Sequence, residues 1–255
     1  MKAFVLAAFG PFATRFEGRL GFMYTDKLGL VTTGIGNKID DGPSAPPGAT
    51  SAPTPWRYAE ALTLPWKHAD GSPANTGDIA AEWHAMKLAW PSVQSSACRA
   101  LATLHLDPAD IDHLVAEKAH ENDDALRAIF ANFDALPADA QLAIHSMAWA
   151  MGTEGVRKFV HLVAAVNRGD FREAAAQCHM QGVGIADRNA ANVALFTNAA
   201  VVTETGGDPE TLWFPHSVTA ADVPAGGGWK PFAAIGASVV AAGLAAWAIV
   251  GRGRS

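Results

Sequence analysis

Two carboxylic acids and a hydroxyl lie close together near the start of the sequence, at Glu17, Asp26 and Thr32. A glycosidic bond is normally cut by a carboxylic acid that protonates the leaving oxygen, assisted by a second carboxylate across the sugar ring. Glu17 and Asp26 suit that chemistry if rigid structure holds them apart. Taken alone, however, two such acids are most often solvated surface charges, so the pair by itself identifies no function.

The neighbouring sequence predicts the elements that hold these side chains. The apolar run 3–13 predicts a helix that leads to Glu17. Residues 21–25 and 30–33 are rich in Phe, Tyr, Val and Thr, which favour strands, and the Asp-Lys-Leu-Gly between them favours a turn. The pattern therefore predicts a hairpin with Asp26 at its bend and Thr32 on its returning strand.

The run 3–13 has an alternative interpretation as a short secretion signal. A Gly-Pro pair interrupts it, it follows a single positive charge, and cleavage near Ala13 would remove the segment that leads to Glu17. We therefore expect a retained helix in a protein made in the cytoplasm without a signal peptide.

The stretch 16–37, FEGRLGFMYTDKLGLVTTGIGN, resembles the catalytic segment of the phage-type lysozymes. The pattern of that family is Glu, eight residues, Asp, five residues, Thr, and then a Gly-x-Gly strand. Glu17, Asp26 and Thr32 have that spacing without gaps. Further along, 143–159 resembles the family's central buried helix and the turn after it, 169–175 resembles the next helix, and Arg188 resembles an arginine of the last helix.

The resemblance implies a lysozyme-like domain that hydrolyses the β-1,4 bond between N-acetylmuramic acid and N-acetylglucosamine in peptidoglycan. It implies that Glu17 is the general acid, that Asp26 stays ionised and orients water, and that Thr32 holds the same water. It also implies inversion at the anomeric carbon and no cofactor. A catalytically idle peptidoglycan-binding module and a lytic transglycosylase are the alternatives; the complete acid pair disfavours the first, and Asp26 with Thr32 disfavours the second.

The roles of several residues in or near the segments that resemble the family are left open. The family's best-known member has a histidine in a structural ion pair where this chain has Asn37, so that pair is absent and the cleft lacks the stabilisation it would give. The proline-rich arm 41–57 either borders the cleft or is a flexible spacer, and its composition favours the spacer. Three residues are the candidate substrate contacts: Trp56 and Trp66, which flank the arm, and Arg188.

The remaining chain is predicted to be mainly helical, with helix starts near Asp78, Asp107-Pro108 and Pro137 and further helices over 155–167, 169–180 and 188–200. The predicted fold class is α+β, a mostly helical lysozyme-like domain with a small β-hairpin, followed by a single C-terminal transmembrane helix. The predicted domains are a catalytic domain over 1–200, a glycine-rich linker over 201–228, and a transmembrane anchor with a basic tail over 229–255.

The anchor prediction depends on the uncharged run 231–251, which has about the ~20 residues that span hydrocarbon. Lys230 precedes the run, Arg252 and Arg254 follow it, and this asymmetry favours a catalytic domain on the wall side of the membrane.

The charge and the residue composition of the chain disfavour some classes of binding partner. The net charge of -6, without a Lys/Arg run, disfavours nucleic acid. The histidine and cysteine spacings predict no metal site. Cys98 and Cys178 are expected to be unpaired buried thiols, with one bridge between them left open. The expected partners are peptidoglycan and a membrane, and the setting is left open between an endolysin with a holin, a toxin with an immunity protein, and a component of a contractile injection system.

Overall fold

The structure is a computed structural model that describes residues 1–182 and 184–223. Its helices are α1 Ala3–Glu17, α2 Thr76–Ala89, α3 Pro108–Arg127, α4 Ala138–Met151, α5 Thr153–Arg157, α6 Val160–Asn167, α7 Phe171–Gln177 and α8 Ala186–Thr205. Its strands are β1 Leu20–Thr25, β2 Val31–Gly34, β3 Asn37–Lys38, β4 Lys67–His68 and β5 Leu104–His105. Short 3-10 helices cover Ala61–Thr63, Ser95–Ala100 and Phe133–Ala135.

The predicted fold class is corrected in its C-terminal part. Across residues 1–182 and 184–223 no helix has both the length and the apolar character that crossing a membrane requires. The two longest helices, α3 and α8, have 20 residues each, but α3 is densely charged and α8 carries several asparagines. The fold is therefore mainly helical with two small sheets. The run 231–251, on which the transmembrane prediction depended, lies outside the described residues.

The chain divides into two compact units rather than one continuous domain over 1–200. We call Ala13–Glu117 the hairpin unit. We call the other the helical unit; it combines Met1–Phe12 with the chain from Lys118 onward.

The hairpin unit contains the predicted hairpin. β1 and β2 pair antiparallel with Tyr24 opposite Thr32, and β3 adds a third antiparallel strand with Asn37 opposite Thr33. A second, two-stranded sheet pairs β4 with β5. β1 from Phe22 onward and all of β2 are buried, and both strands contact α2. The buried apolar side chains of the unit include Met23, Val31, Ile35, Ile39, Trp83 and Met86.

The helical unit is built around α4, whose residues are buried continuously from Ala138 to Ala148. Its chain beyond α8 also packs, because Val218 and Val223 are buried with Val201. The prediction of a glycine-rich linker over 201–228 is therefore wrong for residues 201–223. The physical reason is packing between residues that are far apart in the sequence. The residues after α8 follow no helix or strand period, so the sequence did not reveal this packing.

The two cysteines are both buried and free, as expected. Cys98 lies in the hairpin unit and Cys178 in the helical unit.

Candidate active site

Glu17 is the last residue of α1, and the chain turns out of the helix at Gly18, where φ is +73°. The Glu17 carboxyl group lies against the backbone of Gly36, in the turn between β2 and β3. A Cβ atom added at Gly36 would stand 3.3 Å from Glu17 Oε2. Gly36 also has a positive φ of +77°, which favours glycine. The turn therefore brings the backbone close to the carboxyl group at a position where a side chain would crowd it.

Asp26 follows β1 and is held by the turn it begins. Its Oδ1 accepts hydrogen bonds from the backbone N–H groups of Leu28 at 2.8 Å and Leu30 at 2.9 Å. Its own N–H donates to the Leu30 carbonyl at 3.0 Å. Within the described part of the chain, Oδ2 has no hydrogen bond. One oxygen fixes the carboxyl group and the other is left for a ligand.

The protonation of Asp26 reflects these surroundings. Burial raises the pKa of the carboxyl group, and the two backbone hydrogen bonds and the Lys87 charge lower it by less, so that the net pKa is above that of an ordinary aspartate.

Thr32 lies on the returning strand and is buried. Its hydroxyl donates to the Leu30 carbonyl at 3.3 Å, the same carbonyl that accepts the Asp26 N–H. Leu30 therefore connects Asp26 and Thr32 through its backbone. A hydroxyl that donates one hydrogen bond keeps its acceptor lone pairs for a second partner.

Tyr24 is a site residue that the sequence interpretation treated only as a strand former. Burial raises the pKa of its phenol, the charge of Glu17 raises it further, a backbone hydrogen bond at Gly36 lowers it, and the charge of Asp26 adds a smaller increase. Both carboxyl groups thus act on one phenol, which stays protonated at neutral pH. The available sequence signal was that Tyr24 lies only two residues before Asp26, near the end of the predicted strand.

The proline-rich arm 41–57 packs beside the Asp26 turn. The Ala45 N–H donates to the Leu28 carbonyl at 2.8 Å. Ala45 and Ala52 are buried against Trp90, whose indole N–H donates to the Asp26 carbonyl at 3.1 Å. The interpretation of the arm as a flexible spacer is therefore wrong, because these contacts fix it against the turn.

Two of the three predicted substrate contacts lie in cores. Trp66 is 1% exposed and its indole N–H donates to the Ala61 carbonyl at 2.9 Å. Arg188 is 2% exposed, lies in the helical unit, and donates to the Ser146 carbonyl at 3.0 Å. Neither side chain presents a surface to a glycan, so these two assignments are corrected to core residues.

Trp56 remains a candidate contact. It is half-buried, with its ring centroid 5.4 Å from that of His84. The residues that follow it, Arg57 and Tyr58, line an open cavity of about 780 Å³ together with Asp41, Ala59 and Leu62.

Asn37 and a pair of buried charges complete the hairpin unit's polar interior. Asn37 Oδ1 accepts the Ile35 N–H at 3.2 Å and so stabilises the turn between β2 and β3. Lys87 Nζ lies 2.7 Å from Asp40 Oδ2, and both side chains are fully buried. The sequence did not reveal this ion pair, because its partners are 47 residues apart.

The hairpin unit thus holds two carboxyl groups around one protonated phenol, with one carboxyl group fixed through a single oxygen and a hydroxyl tied to the same backbone. Such a set can donate a proton and accept one from water. When the chain is compared with known proteins, it matches no family model and no curated protein.

Proposed function

We propose that this protein is a peptidoglycan muramidase that hydrolyses the β-1,4 bond between N-acetylmuramic acid and N-acetylglucosamine. The observation that carries the proposal is the placement of Glu17 against the Gly36 turn and of Asp26 directly after β1, at the chain spacing of the phage-type lysozymes. The proposal assigns Glu17 as general acid, Asp26 as general base and Thr32 as a water ligand.

In the proposed reaction, Glu17 gives its proton to the bridging oxygen as the bond from that oxygen to the anomeric carbon breaks. A water molecule adds its oxygen to the anomeric carbon, and the water proton passes to Asp26 through Oδ2, the oxygen that the turn leaves unbonded. The Thr32 hydroxyl accepts a hydrogen bond from the same water. Attack by water on the face opposite the leaving group inverts the anomeric carbon.

Tyr24 supports the acids without exchanging a proton. Its raised pKa keeps the phenol protonated at any pH where the two carboxyl groups work. It can therefore act as a hydrogen-bond donor and takes no proton from the reaction.

The pH dependence follows from the same site. Asp26 accepts a proton only when it is ionised, and burial raises its pKa. Activity should therefore fall as the pH drops through a value above the ordinary aspartate range, so that the acid limb of the profile lies at higher pH than for an exposed aspartate.

The products test the proposal against a lytic transglycosylase, which adds no water. Purified peptidoglycan digested by the full chain should yield muramic acid with reducing ends, and digestion in H₂¹⁸O should label those ends in the mass spectrum. Mainly 1,6-anhydro ends would assign the protein to the transglycosylases. Binding to peptidoglycan without any new ends would assign it to the idle binding modules.

A further inference from the structure

The buried ion pair between Lys87 and Asp40 is costly in free energy because both charges are removed from water. Removing two charges from water carries a desolvation penalty, and well-packed apolar residues in the same space are often equally or more stabilising. Both side chains are nevertheless fully buried, with Lys87 Nζ 2.7 Å from Asp40 Oδ2 and 5.3 Å from the centre of the Trp83 ring. Stability alone is therefore a poor explanation for charges at this position.

The contacts of the pair lead to the Asp26 turn. Lys87 Nζ donates to the Gly29 carbonyl at 2.6 Å, and Asp40 Oδ2 accepts the Val31 N–H at 3.1 Å. Gly29 and Val31 are the two neighbours of Leu30. Asp40 Oδ1 also accepts the Gly42 N–H at 2.7 Å, which fixes the start of the proline-rich arm.

Leu30 is the residue that binds Asp26 most directly. Its N–H donates to Asp26 Oδ1 and its carbonyl accepts the Asp26 N–H. Because the ion pair holds the peptide groups on both sides of Leu30, it fixes the backbone that orients the Asp26 carboxyl group.

We infer that Lys87 and Asp40 are positioning residues for Asp26, which they orient through the backbone around Leu30. The inference rests on the proposed function, in which Asp26 is the base.

The charges around Asp26 give this inference a signature. Lys87, on α2, favours the ionised form of Asp26 and lowers its pKa, whereas Asp40, after β3, raises it. The other titratable neighbour is Tyr24 on β1, which is protonated at neutral pH, and Lys27 beside Asp26 is exposed. The two members of the pair therefore act on Asp26 with opposite sign.

Single and double variants of the full chain test this. Lys87→Met should raise the Asp26 pKa and move the acid limb of hydrolysis to higher pH. Asp40→Asn should lower the Asp26 pKa and move the acid limb to lower pH. In the double variant the Asp26 pKa and the acid limb should stay near those of the unchanged protein. The Asp26 pKa is measured by carbon-13 NMR of labelled aspartate carboxyl groups, and hydrolysis by release of reducing ends from purified peptidoglycan.

The matched control is Lys67→Met, which removes a lysine from a partly exposed ion pair with Asp107 in the same unit. It should leave the Asp26 pKa and the acid limb unchanged. If Lys87→Met does not fold, Asp40→Asn carries the test. If both single variants fail because each leaves one buried charge unpaired, the double variant carries it, and an Asp26 pKa that differs from that of the unchanged protein would overturn the inference.

Two results separate this inference from the proposed function. Folded Asp40→Asn protein whose Asp26 pKa is unchanged or higher would overturn the inference. An unchanged protein that releases no reducing ends would overturn the muramidase proposal, and the NMR titration would still decide whether the pair controls Asp26.

Discussion

Two aspartates, one in each unit, have opposite surroundings. In the helical unit Asp139 is buried and accepts hydrogen bonds from Asn198 Nδ2 at 2.9 Å and from the N–H groups of Trp213 at 2.9 Å and Phe214 at 3.0 Å. In the hairpin unit Asp26 is only half-buried, and its hydrogen bonds use one oxygen. A satisfied buried carboxyl group anchors distant segments of chain, whereas one with an unbonded oxygen at the surface can react.

This contrast separates activity from stability. Substitution of Glu17 or Asp26 should cost activity and little stability, and substitution of Asp139 should do the reverse.

The largest expected effect is that of Glu17→Gln, which keeps the shape of the side chain and removes its proton. Hydrolysis of purified peptidoglycan should fall roughly 10²–10⁴-fold, the usual contribution of a general acid. The denaturation midpoint should stay within experimental error of the unchanged protein. Comparable turnover by a folded Glu17→Gln variant would remove Glu17 from the mechanism.

Asp139→Ala should have the largest effect on stability. It leaves the Trp213 and Phe214 N–H groups without an acceptor, and each such buried donor costs about 1–3 kcal/mol. The free energy of unfolding, measured with urea, should therefore fall by about 3 kcal/mol. Activity per folded molecule should not change, and Asp139→Asn, which keeps one acceptor oxygen, should lose less stability.

Thr32→Val should have a smaller effect on activity, since it removes one hydrogen bond to water and keeps the shape of the side chain. A neutral hydrogen bond is worth about 0.5–1.5 kcal/mol, which corresponds to a loss of about tenfold or less. Assays of Thr32→Val and Asp26→Asn under the same conditions measure how far their losses of activity differ. A Thr32→Val loss as large as that of Asp26→Asn would give the hydroxyl a more direct part in the reaction.

The smallest expected effects are on the way the free energy of unfolding changes with pH. Two buried groups of the helical unit, His145 and Asp139, should affect this pH dependence in opposite directions. Burial lowers the pKa of His145 below its usual 6.5 although Asp123, 2.7 Å away, opposes this. The neutral imidazole is favoured in the folded state, so its contribution to the free energy of unfolding is present above pH 6.5 and is lost as the pH falls. His145→Gln should therefore flatten the loss of stability toward acid.

Burial raises the pKa of Asp139 to about 6. Its protonation contributes stability that is complete below its ordinary pKa of 3.8 and is lost as the pH rises through about 6. Asp139→Asn should therefore make the loss of stability toward acid steeper. Urea titrations of both variants from about pH 4 to 7 measure the two slopes, and slopes that change in the same direction would contradict the pKa assignments.

Local chemistry allowed much of the fold to be predicted. The hairpin over 21–33 follows from strand-forming residues on each side of an Asp-Lys-Leu-Gly turn, and the structure has it. The start of α2 was placed near Asp78, whereas the helix begins at Thr76 with Asn75 as its cap. The reason is a capping box, in which Asp78 is the third helical residue and exchanges hydrogen bonds with Asn75.

The features that sequence could not supply depend on contacts between distant residues. The predicted helix over 155–167 is two helices, α5 and α6, and no Gly or Pro marks the break at Phe159. The packing of residues 208–223 depends on Asp139, and the burial of Lys87 depends on Asp40. In the candidate site, spacing identified Glu17, Asp26 and Thr32, but only burial and charge brought in Tyr24.

The division of α1 between the two units has a consequence for the order of synthesis. Residues 13–117 leave the ribosome before the partners of residues 1–12 exist, because those partners lie beyond Lys118. Phe9 is fully buried in the structure, and its ring lies 5.0 Å from that of Trp149 and 5.8 Å from that of His145. The hairpin unit can therefore form first on the growing chain. The apolar first half of α1 stays exposed to solvent until about a hundred further residues have been synthesised.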